Sequence, residues 1–95
     1  MDEQFDQSVP VAIDPSGGTT IIVTNTRQAA ELLLSRWPVD GGAKHLAARK
    51  ACLAVLEGIK KGRDARKAFE AAAIEANIFR PAYREVTHRR TSQAR

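Results

Sequence analysis

The sequence predicts an α+β domain: a two-stranded antiparallel hairpin packed on three helices, in the order ββααα, with a basic tail. Three observations carry this. Val9-Pro10-Val11-Ala12-Ile13 alternates, and Thr19-Thr20-Ile21-Ile22-Val23-Thr24 is β-branched throughout. From Asn25 onward the apolar residues recur at helical spacing. Pro38, Gly41-Gly42 and Gly62 then divide that helical stretch into three.

Residues 1–8 are polar apart from Phe5 and are expected to form a mobile acidic arm. In the first strand Val9, Val11 and Ile13 share one face. Pro10 cannot donate to a ladder, which places this strand at an edge. Asp14-Pro15-Ser16-Gly17 fits a type I turn, with Asp first, Pro second and Gly last. A lone hairpin is marginal in water, so helices must cover one face of it.

Asn25 is the expected N-cap of the first helix, with Gln28 in the capping-box position. Ala30, Leu33, Leu34 and Trp37 form its apolar stripe, and Pro38 stops it at Trp37. The second helix is expected from about Ala43 to Lys61. Leu46, Ala48, Cys52, Leu53, Val55, Leu56 and Ile59 fall within about half of its circumference. Gly58 sits inside that pattern at a cost of about 1 kcal/mol relative to Ala. Gly62 ends it, and Asp64 is the expected cap of a third helix from Ala65 to about Asn77. Along this helix Ile74 and Ile78 point away from the main stripe of Ala65, Ala68, Phe69, Ala72, Ala76 and Phe79. The predicted core joins Val11, Ile13, Ile21, Val23, Leu33, Trp37, Leu53, Leu56 and Phe69. The domain is thus placed at 9–79, with 80–95 as a basic tail, mobile or partly helical.

Composition narrows the function classes. Ninety-five residues make one small domain, and 43% apolar with 27% charged residues is ordinary for a folded soluble chain. A single cysteine excludes an internal disulfide and an all-Cys zinc site. No apolar stretch approaches the roughly 20 residues that span a bilayer, and the acidic start is unlike a secretory signal. A cytoplasmic protein without a membrane partner is expected. The net charge of +4 is uneven: residues 1–16 hold four carboxylates and no Lys or Arg, while residues 80–95 hold five arginines against Glu85.

Trp37-Pro38, then Gly42, Lys44-His45, Ala47-Ala48, Ala51-Cys52-Leu53 and Leu56-Glu57-Gly58 form a recognisable series. Ala65-Arg66, Ala68-Phe69, Ala71-Ala72, Glu75-Ala76 and Ile78 continue it. Over roughly residues 9–79 the chain resembles the domain of unknown function 982, a family of small proteins from rhizobial and related bacteria. The resemblance implies a bacterial cytoplasmic domain. It brings no activity, cofactor or catalytic residue with it.

The candidate chemistry is sparse. His45, Arg49 and Cys52 share a helix face, where a thiolate beside a cation would be a nucleophile. Cys52 also lies among Ala48, Val55 and Leu56, and core packing is the expected role. A zinc site lacks a third ligand at any recognised spacing. Gly41, Gly42, Lys44 and His45 open a helix and make a candidate anion site, without the spacing of a phosphate-binding loop. Lys60-Lys61-Gly62-Arg63 joins two helices, but the third helix is too acidic and too rich in alanine to read bases. Lys50, Lys60, Lys61, Arg80, Arg84, Arg89 and Arg90 are candidate polyanion contacts. No Ser/His/carboxylate set is placed for catalysis, so neither enzyme activity nor a cofactor is expected.

The expected function is therefore a non-enzymatic protein-interaction or regulatory module. Its candidate interface is Ile22, Ile74 and Ile78 beside an open edge on strand 19–24, and its partner is another protein or a second copy in a homodimer. The alternative is a non-specific nucleic-acid binder that uses basic helix 43–61 and the Arg-rich tail.

Overall fold

The computed structural model describes residues 3–14, 19–38 and 42–82. Two antiparallel strands, β1 (Gln4–Val11) and β2 (Ile21–Asn25), are followed by three helices: α1 (Thr26–Glu31), α2 (Ala43–Leu56) and α3 (Gly62–Glu75). This is the predicted α+β order. The core is one cluster, in which α3 lies between the sheet and α2 and centres on Phe69.

β1 starts five residues earlier than its alternation suggested, over residues assigned to the mobile arm. Val9, Pro10 and Val11 pair with Val23, Ile22 and Ile21, and Gln4 pairs with Asn25. Between Gln4 and Val9 the ladder is interrupted. Phe5 there turns inward, its ring 6.2 Å from that of Phe69. Asp6 meets Arg66 of α3 through two bonds of 2.9 and 3.1 Å. The Glu3 carbonyl accepts from both the backbone N–H and the hydroxyl of buried Thr26, and the Glu3 carboxylate pairs with Arg27. Two carboxylates of the acidic start are thus engaged by α1 and α3. The sequence pattern concealed this because only one apolar residue, Phe5, marks it.

Pro10 is fully buried, and the reason lies on the side of β1 away from β2. There the Arg80 N–H donates to the Pro10 carbonyl, and the Ala12 N–H donates to the Ile78 carbonyl. Val11 and Phe79 form the bridge between these bonds. The proline without an N–H thus stands on the β1 flank that a short returning segment covers. Arg80 accordingly belongs to the folded body, and its guanidinium donates to the carbonyls of Asn77 and Phe79.

The helix ends explain the remaining departures. Asn25 caps α1 as expected, its Oδ1 accepting from the Gln28 N–H at 2.8 Å. After Glu31 the helix widens into a π-turn over Leu32–Arg36. The wider turn changes the angle between successive side chains, so Leu32 and Leu33 are buried while Leu34 points outward. α2 stops at Leu56 rather than Lys61. Gly58 takes φ +83°, with Gly58 N–H donating to Val55 and Ile59 N–H to Ala54, a complete Schellman motif. α3 begins at Gly62, three residues early, and Asp64 caps it from within by accepting from the Lys61 N–H at 3.0 Å. α3 ends at Glu75 in a second Schellman motif, with Asn77 at φ 62°.

Asn77 is what separates Ile74 from Ile78. The left-handed residue swings the chain off the helix axis, and Ile78 enters the core at 7% exposure while Ile74 remains 58% exposed. The expected apolar strip of Ile74 and Ile78 is therefore not formed. Ile22 is exposed on β2 as expected. The β2 edge is less open than its sequence suggested: the Gln28 amide donates to the Ile22 carbonyl and accepts from the Thr24 N–H. One side chain thus occupies the place of a neighbouring strand.

Candidate functional site

Where an anion was expected, at the start of α2, the protein sets a carboxylate of its own, that of Glu75. Gly42 precedes α2 in a fully extended conformation. The Glu75 carboxylate, from the last turn of α3, accepts from the Lys44 and His45 N–H groups at 3.3 Å each. Those free N–H groups and the positive end of the helix dipole favour a negative charge. A Cβ at Gly42 would stand 2.7 Å from Glu75 Oε1, so a larger residue there would push the carboxylate out of its present place. Gly41 lies outside the described residues. The Lys44 side chain is exposed, whereas that of His45 turns into the protein.

His45 holds α2 to the first helix. Its Nε2 lies 2.9 Å from the Leu33 carbonyl, which can only accept, so Nε2 carries the proton. In a π-turn the residue that would donate to Leu33 is five positions on, and that residue is Pro38, which has no N–H. The imidazole supplies the missing donor. Trp37 packs between this ring and Phe69, 5.6 Å from each. His45 Nδ1 is buried without a hydrogen-bond partner. Trp37-Pro38, Gly42, His45, Phe69 and Glu75 thus make one joint between α1, α2 and α3.

Cys52 lies in the core beside this joint, 1% exposed. Burial pushes its thiol up to about 11, which leaves almost no thiolate at neutral pH. Of the predicted trio, Arg49 is exposed and lines one cleft with Cys52, while the His45 ring is taken up by the Leu33 carbonyl. Among the described residues no group of three His, Cys, Asp or Glu side chains could hold a metal ion. No helix among them is long and apolar enough to cross a membrane.

The basic candidates are dispersed. Lys50, Lys60 and Lys61 are exposed. Lys60 and Lys61 follow the end of α2 and line a cleft of about 320 Å³ together with Glu3 and Ile59. Arg84, Arg89 and Arg90 lie outside the described residues.

The feature that sequence reasoning missed is apolar. Leu34 is 68% exposed and Leu53 is 56% exposed, although both were expected on buried stripes. With Ala30, Arg49, Cys52 and Leu56 they line a cleft of about 240 Å³ between the first helix and α2. Leu46 is also exposed. The buried stripe of α2 is instead His45, Ala48, Cys52 and Val55, spaced at i, i+3, i+7 and i+10. The sequence held one hint of this: His45 shares the period of Ala48 and Cys52, whereas Leu46 and Leu53 share another.

Residues 9–79 match the family model described as "Protein of unknown function (DUF982)", and the chain belongs to that family. No curated protein and no solved structure matches it.

Proposed function

We propose that this member of the family is a non-enzymatic protein-interaction module whose docking surface is the outer face of the first helix and α2. One observation carries the reading: Leu34 and Leu53 stand exposed on adjacent helices across an apolar cleft, with Leu46 also exposed on α2. Contiguous exposed leucines lower solubility unless a partner covers them. The side chains that could do chemistry give the reading indirect support. Cys52, His45 and Glu75 are each engaged in packing or in bonds within the fold. Ile22 and Ile74 remain exposed, but Ile78 is buried, so the interface first expected there moves to the leucine face.

A photo-crosslinking residue at position 53, in cells, tests this. A covalent product from position 53 and none from exposed Lys67 is the expected outcome. Absence of any product from position 53 in a folded protein would refute the reading. Nucleic-acid binding is the second reading, favoured by the exposure of Lys44, Lys50 and Lys60. Phosphate-driven binding would fall by orders of magnitude between about 50 and 200 mM salt, whereas an apolar interface would barely respond.

A further inference from the structure

We propose that the occupant of the leucine cleft is an amphipathic helix of another protein, which sets an apolar side chain between Leu34 and Leu53 and a carboxylate on Arg49. This rests on the reading of that face as an interaction surface and goes on to name the chemistry of the partner.

Of the described residues that line the cleft, Arg49 alone is charged; the others are Ala30, Leu34, Cys52, Leu53 and Leu56. On a helix, side chains meet those three and four positions away. For Arg49 these are His45, Leu46, Cys52 and Leu53, none of them a carboxylate. The guanidinium accordingly has no ion-pair partner among the described residues, and it is exposed to solvent. A partner that covers Leu34 and Leu53 removes that solvent, and a guanidinium buried without a counter-charge is strongly unfavourable. The occupant must therefore bring an anion to the edge of its apolar patch. A carboxylate fits the planar guanidinium through two parallel bonds.

The cleft also limits the form of the occupant. Its volume of about 240 Å³ lies below the roughly 300–1,000 Å³ of small-molecule sites, and exposed Leu46 extends the apolar surface of α2. Both favour a side chain of a larger partner. The lining is almost wholly apolar, so the N–H and C=O groups of an extended peptide would find no partners there. A helix satisfies its own backbone groups, and one laid along a groove between two helices anchors itself at i, i+3, i+4 and i+7.

Fluorescence anisotropy of the full chain with labelled helical peptides of about 18 residues is the test. The three probes share one leucine stripe and differ only in its flanking residues, which are Glu, Gln or Lys. The Glu peptide should bind at least about tenfold more tightly than the Gln peptide. Arg49→Gln should abolish this preference, and Arg49→Glu should transfer it to the Lys peptide. Lys67→Gln, at an exposed position of α3, should leave it unchanged, which separates a contact at Arg49 from attraction to the net charge of +4. Circular dichroism verifies that each variant is folded. A preference that survives Arg49→Gln would overturn the proposal, as would the failure of all three peptides to bind. So would binding to phosphatidylserine vesicles, or a doubled mass in light scattering, that Arg49→Gln abolishes, because the occupant would then be a bilayer or a second copy. If the peptide test fails yet position 53 crosslinks in cells, the partner chemistry is wrong and the interaction reading survives. If no peptide binds and position 53 gives no product, both fail.

Discussion

The joint of Trp37, Gly42, His45, Phe69 and Glu75 differs from the leucine face in what its residues do. In the joint, the side chains that look chemical are used by the fold. A glutamate caps a helix across 31 positions of sequence, and a histidine donates to a carbonyl that a proline cannot serve. On the face, the side chains that look structural are left over: Leu34, Leu46 and Leu53 all remain exposed. A histidine beside glycines at a helix start suggests a ligand, and a leucine on an amphipathic helix suggests a core. In this domain both suggestions are reversed.

The largest expected effect separates the two regions by stability. Phe69 is fully buried, with its ring against both Phe5 and Trp37. Phe69→Ala should cost about 3–5 kcal/mol, enough to unfold most molecules of so small a domain. Leu53→Ala should move the unfolding midpoint by no more than about 0.5 kcal/mol, because an exposed side chain has little burial to lose. Urea titration of both variants measures the contrast. Equal losses would mean that Leu53 is a core residue and that the face does not exist.

Much of this division was legible beforehand. The strand runs, Asn25 as a cap, Trp37-Pro38 as a helix stop and the number of helices follow from local rules, and the structure has them. The exposed leucines were hidden by two local events. One is the π-turn, which turns Leu34 outward. The other is Gly58, whose positive φ ends α2 early, so that a helical wheel drawn to Lys61 averaged over residues outside the helix. The Glu75 cap has no local signature, because its partner helix starts more than thirty residues before it. The separation of Ile74 from Ile78 depends on Asn77 alone, one of the few residue types that tolerate the left-handed region.

Cys52 tests the boundary, since it lines the leucine cleft and also belongs to the core cluster. Its folded pKa of about 11 lies above the ordinary value of 9.0. The folded state therefore holds the thiol proton more tightly than the unfolded state. That contribution is fully present below pH 9 and is lost as the pH rises toward 11. The loss amounts to about 2–3 kcal/mol by linkage. The stability of the parent should fall relative to Cys52→Ala over this range, and the native thiol should resist alkylation at pH 8. Rapid alkylation there would move Cys52 out of the core and onto the face.

Within the joint, Gly42→Ala should displace the Glu75 carboxylate and cost about 1–2 kcal/mol, the value of a lost helix cap plus some strain. Glu75→Ala removes the same bonds and should cost about 1 kcal/mol. The two effects should not add: with no carboxylate to displace, the alanine at position 42 should become nearly neutral. A double-mutant cycle measures this coupling. Additive losses would mean that the glycine serves the loop and not the glutamate.

The smallest expected effect asks whether the joint extends through α3 to the start of β1. Asp6 binds Arg66 through two bonds, and Arg66 also reaches Glu70 at 3.3 Å. The hydrogen bonds from the Arg66 guanidinium hold the Asp6 carboxyl below its ordinary value of 3.8. A depressed pKa stabilises the fold above about pH 4, and that contribution disappears as the pH falls through the lower folded value. Asp6 is nearly half exposed, so solvent screening keeps the pair's contribution to about 1 kcal/mol or less. Asp6→Asn should therefore lower stability slightly at pH 7. Once the pH falls below that lowered folded value the parent and the variant should converge, because both then carry a neutral side chain. Phe5 anchors the same stretch independently by its ring contact with Phe69, so the strand should persist in the variant. If Asp6→Asn instead cost as much as a core truncation, the ion pair rather than Phe5 would be holding residues 4–8 to α3. The acidic start would then belong to the joint as fully as Trp37 does.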